Sequence, residues 1–238
     1  MLRQINSFIC VKFVTFYMKN AHDNKLSPLQ QQVLVGTLLG DAHLRANKTK
    51  TKYQYVVLQP ESHKEYVYHL YEIFKDFANK PPKRYTFKDK RFPGKCYTRY
   101  SFYTTFQGCF RFYAHQFYAE VTHPKKQKSD TSKTRKTVPK LIHKWLTPCA
   151  IAYWYMDDGA QKWKGKSLGV RFCTDSFTLS EVDRLILVLK QKYLLKTTIQ
   201  KKGKGFRIYV SSYSYPVLKD LIFSFLIESM TYKWPTIG

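Results

Sequence analysis

The sequence predicts an α/β (α+β) protein of two pseudo-symmetric halves, each with its own antiparallel β-sheet. Three observations predict it. The element order helix, strand, helix, hairpin, helix is read twice along the chain. The longer strands of both halves alternate apolar with polar residues, the period of a sheet with one face on a core and one in solvent. The 238 residues are 44% hydrophobic, enough to bury one large core or two small ones. The expected boundaries are an N-terminal extension (1–23), a first half (24–123), a basic linker (124–139) and a second half (140–238).

The extension, "MLRQINSFICVKFVTFYMK", is basic, apolar and free of acid. It reads as an appendage, with a targeting segment as the alternative. After the polar break "NAHDNKLSP", "LQQQVLVGTLLGDAHL" reads as an apolar helix interrupted by Gly36 and Gly40. Two glycines four apart share a helix face. Each costs roughly 1 kcal/mol relative to alanine inside a helix. Close approach of another backbone, or a helix end at Gly40, is the expected compensation. "TKYQYVVLQ" is a strand by its β-branched and aromatic content. "SHKEYVYHLYEIFKDFANK" is a helix with Val67, Leu70, Tyr71 and Phe74 on one stripe. "RYTFKDKRFPGKCYTRYSFYTTF" is a hairpin turning at Pro93-Gly94, and "GCFRFYAHQFYAEV" is helical. "THPKKQKSDTSKTRKTVPK" is a linker by composition.

The second half repeats the order. "TPCAIAYWYMDDG" is an apolar helix with Pro148 in its first turn. "SLGVRFCT" is a strand, and "TLSEVDRLILVLKQKYLL" is a helix capped at Thr178 or Ser180. "TTIQKKGKGFRIYVSS" is a hairpin turning at "KGKG", and "YPVLKDLIFSFL" is a last helix. In "FRIYVSS", Phe206, Ile208 and Val210 alternate with Arg207, Tyr209 and Ser211. In "RYSFYTTF", Tyr100, Phe102, Thr104 and Phe106 alternate with Arg99, Ser101, Tyr103 and Thr105. The polar faces carry donors suited to base edges and phosphates.

Charge narrows the partner. Forty-one Lys and Arg face 16 Asp and Glu, a net +25. Such an excess repels itself unless a polyanion neutralises it. Nucleic acid fits best, because binding releases its counterions. An acidic membrane surface is the rival, but no stretch of about 18 apolar residues spans a bilayer. The 19 Tyr and 17 Phe belong mainly to the core. Five cysteines (Cys10, Cys96, Cys109, Cys149 and Cys173) form no C-x-x-C pair, which argues against zinc and against a disulfide framework. They read as structural thiols in a reducing compartment.

The chemistry sits in two stretches. "IAYWYMDDG" (Ile151–Gly159) puts Asp157 and Asp158 at the C-terminal end of an apolar helix. The helix dipole is negative there, so an exposed carboxylate is disfavoured by roughly 0.3–1 kcal/mol. Something electropositive has to complete the site. "LVGTLLGDA" (Leu34–Ala42) aligns with it without gaps, and Asp41 and Asp158 occupy the same place.

Each stretch resembles the nine-residue signature of the LAGLIDADG homing endonucleases. The first keeps Gly36, "LL" and Asp41, and the second keeps Ala152, Asp158 and Gly159. They depart at Ala42, where the signature has Gly, and at Tyr153 and Asp157, which stand where the first motif has Gly36 and Gly40. The branch of omega-type mitochondrial intron endonucleases looks similar, including "YW-x-MDDG". The resemblance implies motif helices packed side by side between two half-domains. It implies one acidic residue from each half at duplex DNA, and Mg²⁺, with Mn²⁺ as substitute, in an all-oxygen site. On this reading Asp41 and Asp158 are the metal ligands. The carbonyls of Gly40 and Asp157 are further candidates, as is the Asp157 side chain. Lys136 in "RKTVP" and Lys233 in "YKWP" match lysines that border such sites, and Gln59 and Asp175 end the first strand of each half. Asp175 departs from the Gln often found there. Arg45, Lys52, Gln54, Arg99, Arg171 and Arg207 are the candidate DNA contacts.

The resemblance therefore implies a monomer that cuts both strands of an asymmetric DNA site and leaves short 3′ overhangs. The alternative is an intron RNA maturase, and a binding protein that has lost catalysis is a third class. "YMDD" is also a reverse-transcriptase signature, but that reading leaves the first motif unexplained. An organellar location follows family habit.

Overall fold

Ser27 starts the first motif helix. Its hydroxyl accepts the Gln30 N–H at 3.2 Å, and the Gln30 side chain accepts the Ser27 N–H at 2.9 Å, a reciprocal capping box. The computed structural model describes residues 25–88, 94–120 and 134–237. The N-terminal extension, Cys10, Pro93 of the hairpin turn and most of the linker lie outside the described residues. The described elements are α1 (Pro28–Leu39), β1 (His43–Ala46), β2 (Tyr53–Pro60), α2 (Lys64–Phe74), β3 (Lys83–Lys88), β4 (Cys96–Tyr103) and α3 (Arg111–Phe117). A short ribbon follows, β5 (Tyr118–Glu120) with β6 (Thr134–Lys136), then α4 (Ile142–Trp145) and the second motif helix α5 (Pro148–Asp158). The rest is β7 (Gly159–Gln161), β8 (Val170–Phe172), α6 (Leu179–Tyr193), β9 (Thr197–Lys202), β10 (Gly205–Val210) and α7 (Tyr215–Ile222).

Both sheets are antiparallel and have the same order, β1-β2-β4-β3 and β7-β8-β10-β9. The duplication read from the sequence is therefore a duplication of topology. Each half has one strand more than the sequence reading gave it. β1 and β7 are only four and three residues long and follow the motif aspartates at once, too short for a period to register. Two further corrections concern the middle of the chain. The helix read over Gly108–Val121 stops at Phe117, where Tyr118 turns to strand. The linker read as 124–139 ends in β6, with Lys136 opposite Tyr118. The last helix stops at Ile222, and Phe223–Phe225 form a 3-10 turn.

α1 and α5 form the centre. Val33–Leu39 and Cys149–Asp157 are buried without a solvent face, the mark of a helix inside a core. A Cβ on Gly36 would lie 2.3 Å from the Ala150 carbonyl oxygen and 2.8 Å from the Tyr153 Cβ. A Cβ on Gly40 would lie 2.4 Å from the Asp157 Cβ. Gly36 thus admits the other backbone, and Gly40 ends the helix against the Asp157 side chain, the two compensations expected. The two departures of the second motif fill the space: Tyr153 and Asp157 stand against the glycines of the first.

α2 and α6 cover the inner sheet faces. Val67, Leu70 and Phe74 of α2 and Val182, Leu185 and Leu189 of α6 are buried. The alternation holds only in part: Arg99 and Tyr103 are exposed and Tyr100 and Phe102 are buried, but Ser101 is buried with them and Phe106, beyond the strand, is exposed. Among the described residues the four cysteines are free thiols, and no helix is long and apolar enough to cross a membrane.

Candidate active site

Because α1 and α5 run side by side, their C-terminal ends meet between the two sheets. Asp41 follows Gly40, and Asp158 closes α5 before Gly159. Asp41 is exposed and Asp158 half-buried, while Asp157 is only 7% exposed. The Asp157 carboxylate reaches into the first half. Its Oδ2 accepts the Asp41 backbone N–H at 3.1 Å, and its Oδ1 accepts from Gln59 Nε2 at 3.3 Å. Gln59 Nε2 also donates to Asp41 Oδ2 at 2.9 Å. Gln59 thus touches the acidic centre directly.

The end of the linker and the end of the second half each supply one lysine to this end of the helices. Lys136 Nζ donates to the Gly40 carbonyl at 2.7 Å and to the Ala42 carbonyl at 2.8 Å. Lys233 Nζ donates to the Asp157 carbonyl at 2.7 Å and also to that of Met156. The two contacts are equivalent under the duplication, since Gly40 and Asp157 each precede the motif aspartate. The ammonium groups satisfy carbonyls that a helix end leaves unpaired, where a cation is favoured. These are the two carbonyls that the family resemblance offers as metal ligands. Each is already accepting from a lysine and keeps one further lone pair.

What holds Lys136 there was not legible in the sequence. Arg135 and Thr137, on either side of it, both donate to Glu181 at the start of α6. Glu181 also closes the capping box of Thr178. Burial alone would raise its carboxyl, but Arg135, Thr137 and Thr178 together hold it at about 2. A capping-box glutamate thus clamps the end of the linker beside the site. Lys233 is held differently: its carbonyl accepts from Tyr155 Oη of α5, and Trp234 is buried beyond it.

The other sequence candidates separate into two groups. Lys52 and Arg99 are exposed, and Arg99 lies 4.6 Å from the Phe87 ring centre. Arg45 is exposed on β1. Gln54 is not free to read a base. It is 5% exposed, accepts from Arg45 Nε at 3.0 Å and donates to the Thr104 carbonyl, so it orients Arg45. Asp175 is bound through both oxygens to Arg207 Nε, at 3.0 and 2.8 Å, rather than to the acidic centre. The Arg171 Nε is buried without a partner. A cluster the sequence reading missed lies beside it on the second sheet. Lys162 stands 4.0 Å from the Tyr209 ring centre and 4.3 Å from that of Trp163, which is 57% exposed.

The chain matches the LAGLIDADG DNA endonuclease family over residues 31–218. It belongs to that family. The DNA endonuclease I-ChuI of Chlamydomonas applanata is 32% identical over 87% of this chain and 95% of its own length. The cytochrome b mRNA maturase bI2 of Saccharomyces cerevisiae is 30% identical over 92% of this chain, which spans 52% of that longer protein. The structure of the homing endonuclease I-WcaI bound to its DNA recognition sequence superposes with a TM-score of 0.78, covering 90% of this chain and 89% of that one at 23% identity. It shares the fold of the LAGLIDADG chain described here.

The electrostatics of this LAGLIDADG site are those of an acidic centre short of positive charge. Burial, then the Asp41 charge, pushes the Asp158 carboxyl up to about 7, against the pull of Lys136 and Lys233. Burial and Asp41 likewise raise Asp157. Burial lowers Lys136 and Lys233, and the three aspartates oppose it. Among the described residues no three His, Cys, Asp or Glu side chains make a complete metal cage.

A pH dependence follows. A carboxyl whose folded value exceeds its unfolded one stabilises the fold while protonated. Asp158 therefore gives metal-free protein a stability that is complete below about pH 4 and lost as pH rises through about 7. His43, His63 and His69 are lowered, by burial first, and act with the opposite sign as the pH falls. The difference between wild type and Asp158→Asn isolates the carboxyl. In thermal melts without metal, the variant should gain on wild type as the pH rises from about 5 to about 8. A difference independent of pH contradicts this assignment.

Proposed function

We propose that this protein is a site-specific homing endonuclease, a phosphodiester hydrolase making a divalent-metal-dependent double-strand break in a long asymmetric DNA target. One observation carries the reading. Two equivalent helix ends each bring an aspartate, and a lysine on the preceding carbonyl, to one point between two outward-facing sheets. The relatives named as endonucleases support it. Asp41 and Asp158 are the ligands assigned to Mg²⁺, with Mn²⁺ as substitute. When bound, the ion supplies an acidified water and charge neutralisation at the scissile phosphate. Lys136 and Lys233 keep positive charge beside that phosphate, and their lowered affinity for protons suits them to order the attacking water. Arg45, Lys52, Arg99, Arg207 and the Lys162–Trp163 pair are assigned to the duplex. The chain acts as a monomer, since both motif copies lie in it, and its halves differ, so the target is not a palindrome. Organellar origin follows from the resemblance.

The test is direct. Protein and Mg²⁺ are incubated with a randomised duplex library, and the cut ends are sequenced. One long asymmetric site with short 3′ overhangs, lost on chelation, is expected. No ends above the chelated control would remove the endonuclease reading. Binding should weaken about 10³-fold or more between roughly 50 and 200 mM salt, for six or more phosphate contacts. A flat response contradicts binding of phosphates by the basic surface.

The identity to cytochrome b mRNA maturases supports a second activity, intron RNA binding on the same chain. Stimulated splicing of an intron transcript, unaffected by alanine at Asp41 and Asp158, is its signature.

A further inference from the structure

Gln59 is an amide set between acceptors and a ring. Its Nε2 lies 2.9 Å from Asp41 Oδ2 and 3.3 Å from Asp157 Oδ1. Its Oε1 lies 2.9 Å from His63 Nδ1, and His63 Nε2 lies 2.7 Å from Tyr232 Oη. An amide can turn over, exchanging its oxygen and nitrogen at little steric cost. The wrong orientation would point a carbonyl oxygen at the Asp41 carboxylate and repel it. Something has to fix the choice, and the chain of contacts does so.

We infer that His63, anchored by Tyr232 from the opposite half, is a positioning residue that holds the Gln59 amide with its NH₂ toward the Asp41 carboxylate. The inference rests on the role given above to Asp41. The directions of the bonds follow from the chemistry of each atom. The carboxylate only accepts, so Gln59 Nε2 donates to it and Oε1 is left to accept from His63. His63 Nδ1 therefore carries the hydrogen. A neutral ring then has a bare Nε2, which accepts from the Tyr232 hydroxyl. Burial lowers the His63 proton affinity first, with the Lys233 charge second, in keeping with a neutral ring.

Local structure explains how the ring gets there. Pro60 ends β2, and Glu61–His63 form a 3-10 turn that folds the histidine back over Gln59, four residues earlier. Tyr232 belongs to the 3-10 segment Glu228–Lys233 that also delivers Lys233 to the helix end. One segment of the second half thus supplies a lysine to Asp157 and a clasp to the glutamine of the first. Asp175, paired with Gln59 in the sequence reading, lies in the turn three residues beyond β8 rather than at a strand end, and is held by Arg207 instead. The first carboxylate is therefore clasped across the interface, in a manner the Asp175–Arg207 pair does not reproduce.

The test compares His63→Leu, His63→Asn, Tyr232→Phe, Gln59→Leu and the Gln59→Leu/His63→Leu double variant. Single-turnover cleavage of the target is measured at saturating protein, with the metal concentration for half-maximal rate and the DNA affinity. His63→Leu should slow cleavage about tenfold or more and raise the metal requirement, with DNA affinity unchanged. His63→Asn restores a donor near Nδ1 and should recover most of the rate, while Tyr232→Phe falls between. The decisive comparison is the double variant. If His63 acts through Gln59, it is no slower than Gln59→Leu alone. Fully additive losses, or His63→Leu within about twofold of wild type, overturn the inference. A second readout needs no cleavage. In ¹⁵N spectra of wild type at about pH 8, above the ordinary histidine value, His63 should be the Nδ1–H tautomer. Tyr232→Phe should shift Nε2. An Nε2–H tautomer overturns the clasp whatever the enzyme does. If wild type cuts no DNA, the endonuclease reading fails, and the tautomer still decides the clasp.

Discussion

Cleavage by Asp41→Ala and by Asp158→Ala should each fall about 10³-fold or more, equivalent to about 4 kcal/mol of transition-state stabilisation. Binding should persist. Each substitution removes a negative charge from a surface assigned to phosphate, so the electrostatic part of the affinity is unchanged or improved. Folding should persist as well. Asp158 carries a carboxyl pushed up to about 7 by burial and by Asp41, so ionisation there opposes the fold when no cation is present. Asp41 is exposed, and among the described residues its carboxylate accepts a hydrogen bond from Gln59 alone. Losing a poorly placed charge costs little stability while removing the group that holds the metal, which separates function from fold. The measurements are single-turnover rate, equilibrium binding and a melt on the same samples. Equal losses in all three would mean that the aspartates support structure and not chemistry.

Replacing Gly36 by alanine should destabilise the protein by about 2–3 kcal/mol, the range of overpacking in a tight core. Two effects compete. Alanine is better than glycine inside a helix by roughly 1 kcal/mol. Against it, the new methyl would sit 2.3 Å from the Ala150 carbonyl oxygen and 2.8 Å from the Tyr153 Cβ. The first of these atoms is backbone of the opposite helix, so relief requires α1 and α5 to separate. The packing effect wins. Gly108→Ala is the control, because nothing lies within 4 Å of a Cβ there. It should stay within about 0.5 kcal/mol of wild type in urea unfolding. Gly36→Ala should also slow cleavage, since separating the helices draws Asp41 away from Asp158. A neutral Gly36→Ala contradicts the close crossing.

Much of this arrangement was legible in the sequence because duplication leaves a pattern twice. The apolar motif helix, the aspartate eighth in each motif and the lysine-proline context each had a counterpart about half a chain away. The structure places Lys136 and Lys233 on equivalent carbonyls, which spacing alone could not show. What escaped was either short or specific to one half. β1 and β7 have too few residues to display alternation. β6 has strand form because it pairs with β5, and Arg135 and Thr137 tie its end to Glu181, some 45 residues later and on another element. Gln54 is among the candidate DNA contacts of the sequence, yet Arg45 and Thr104 consume its amide. The side chain of Asp157 was the hardest to place. A carboxylate in the position of a motif glycine has no meaning until its opposite is known to be Gly40.

The central claim is that Asp41 and Asp158 share a metal-dependent centre against DNA phosphate. The most direct measurement is the anomalous scattering of Mn²⁺ in a crystal of the protein bound to its target duplex. The account predicts manganese at the C-terminal ends of α1 and α5, ligated by the Asp41 and Asp158 carboxylates and a phosphate oxygen of the cut strand. Manganese bound elsewhere, or DNA lying against a surface away from these two helix ends, would contradict it.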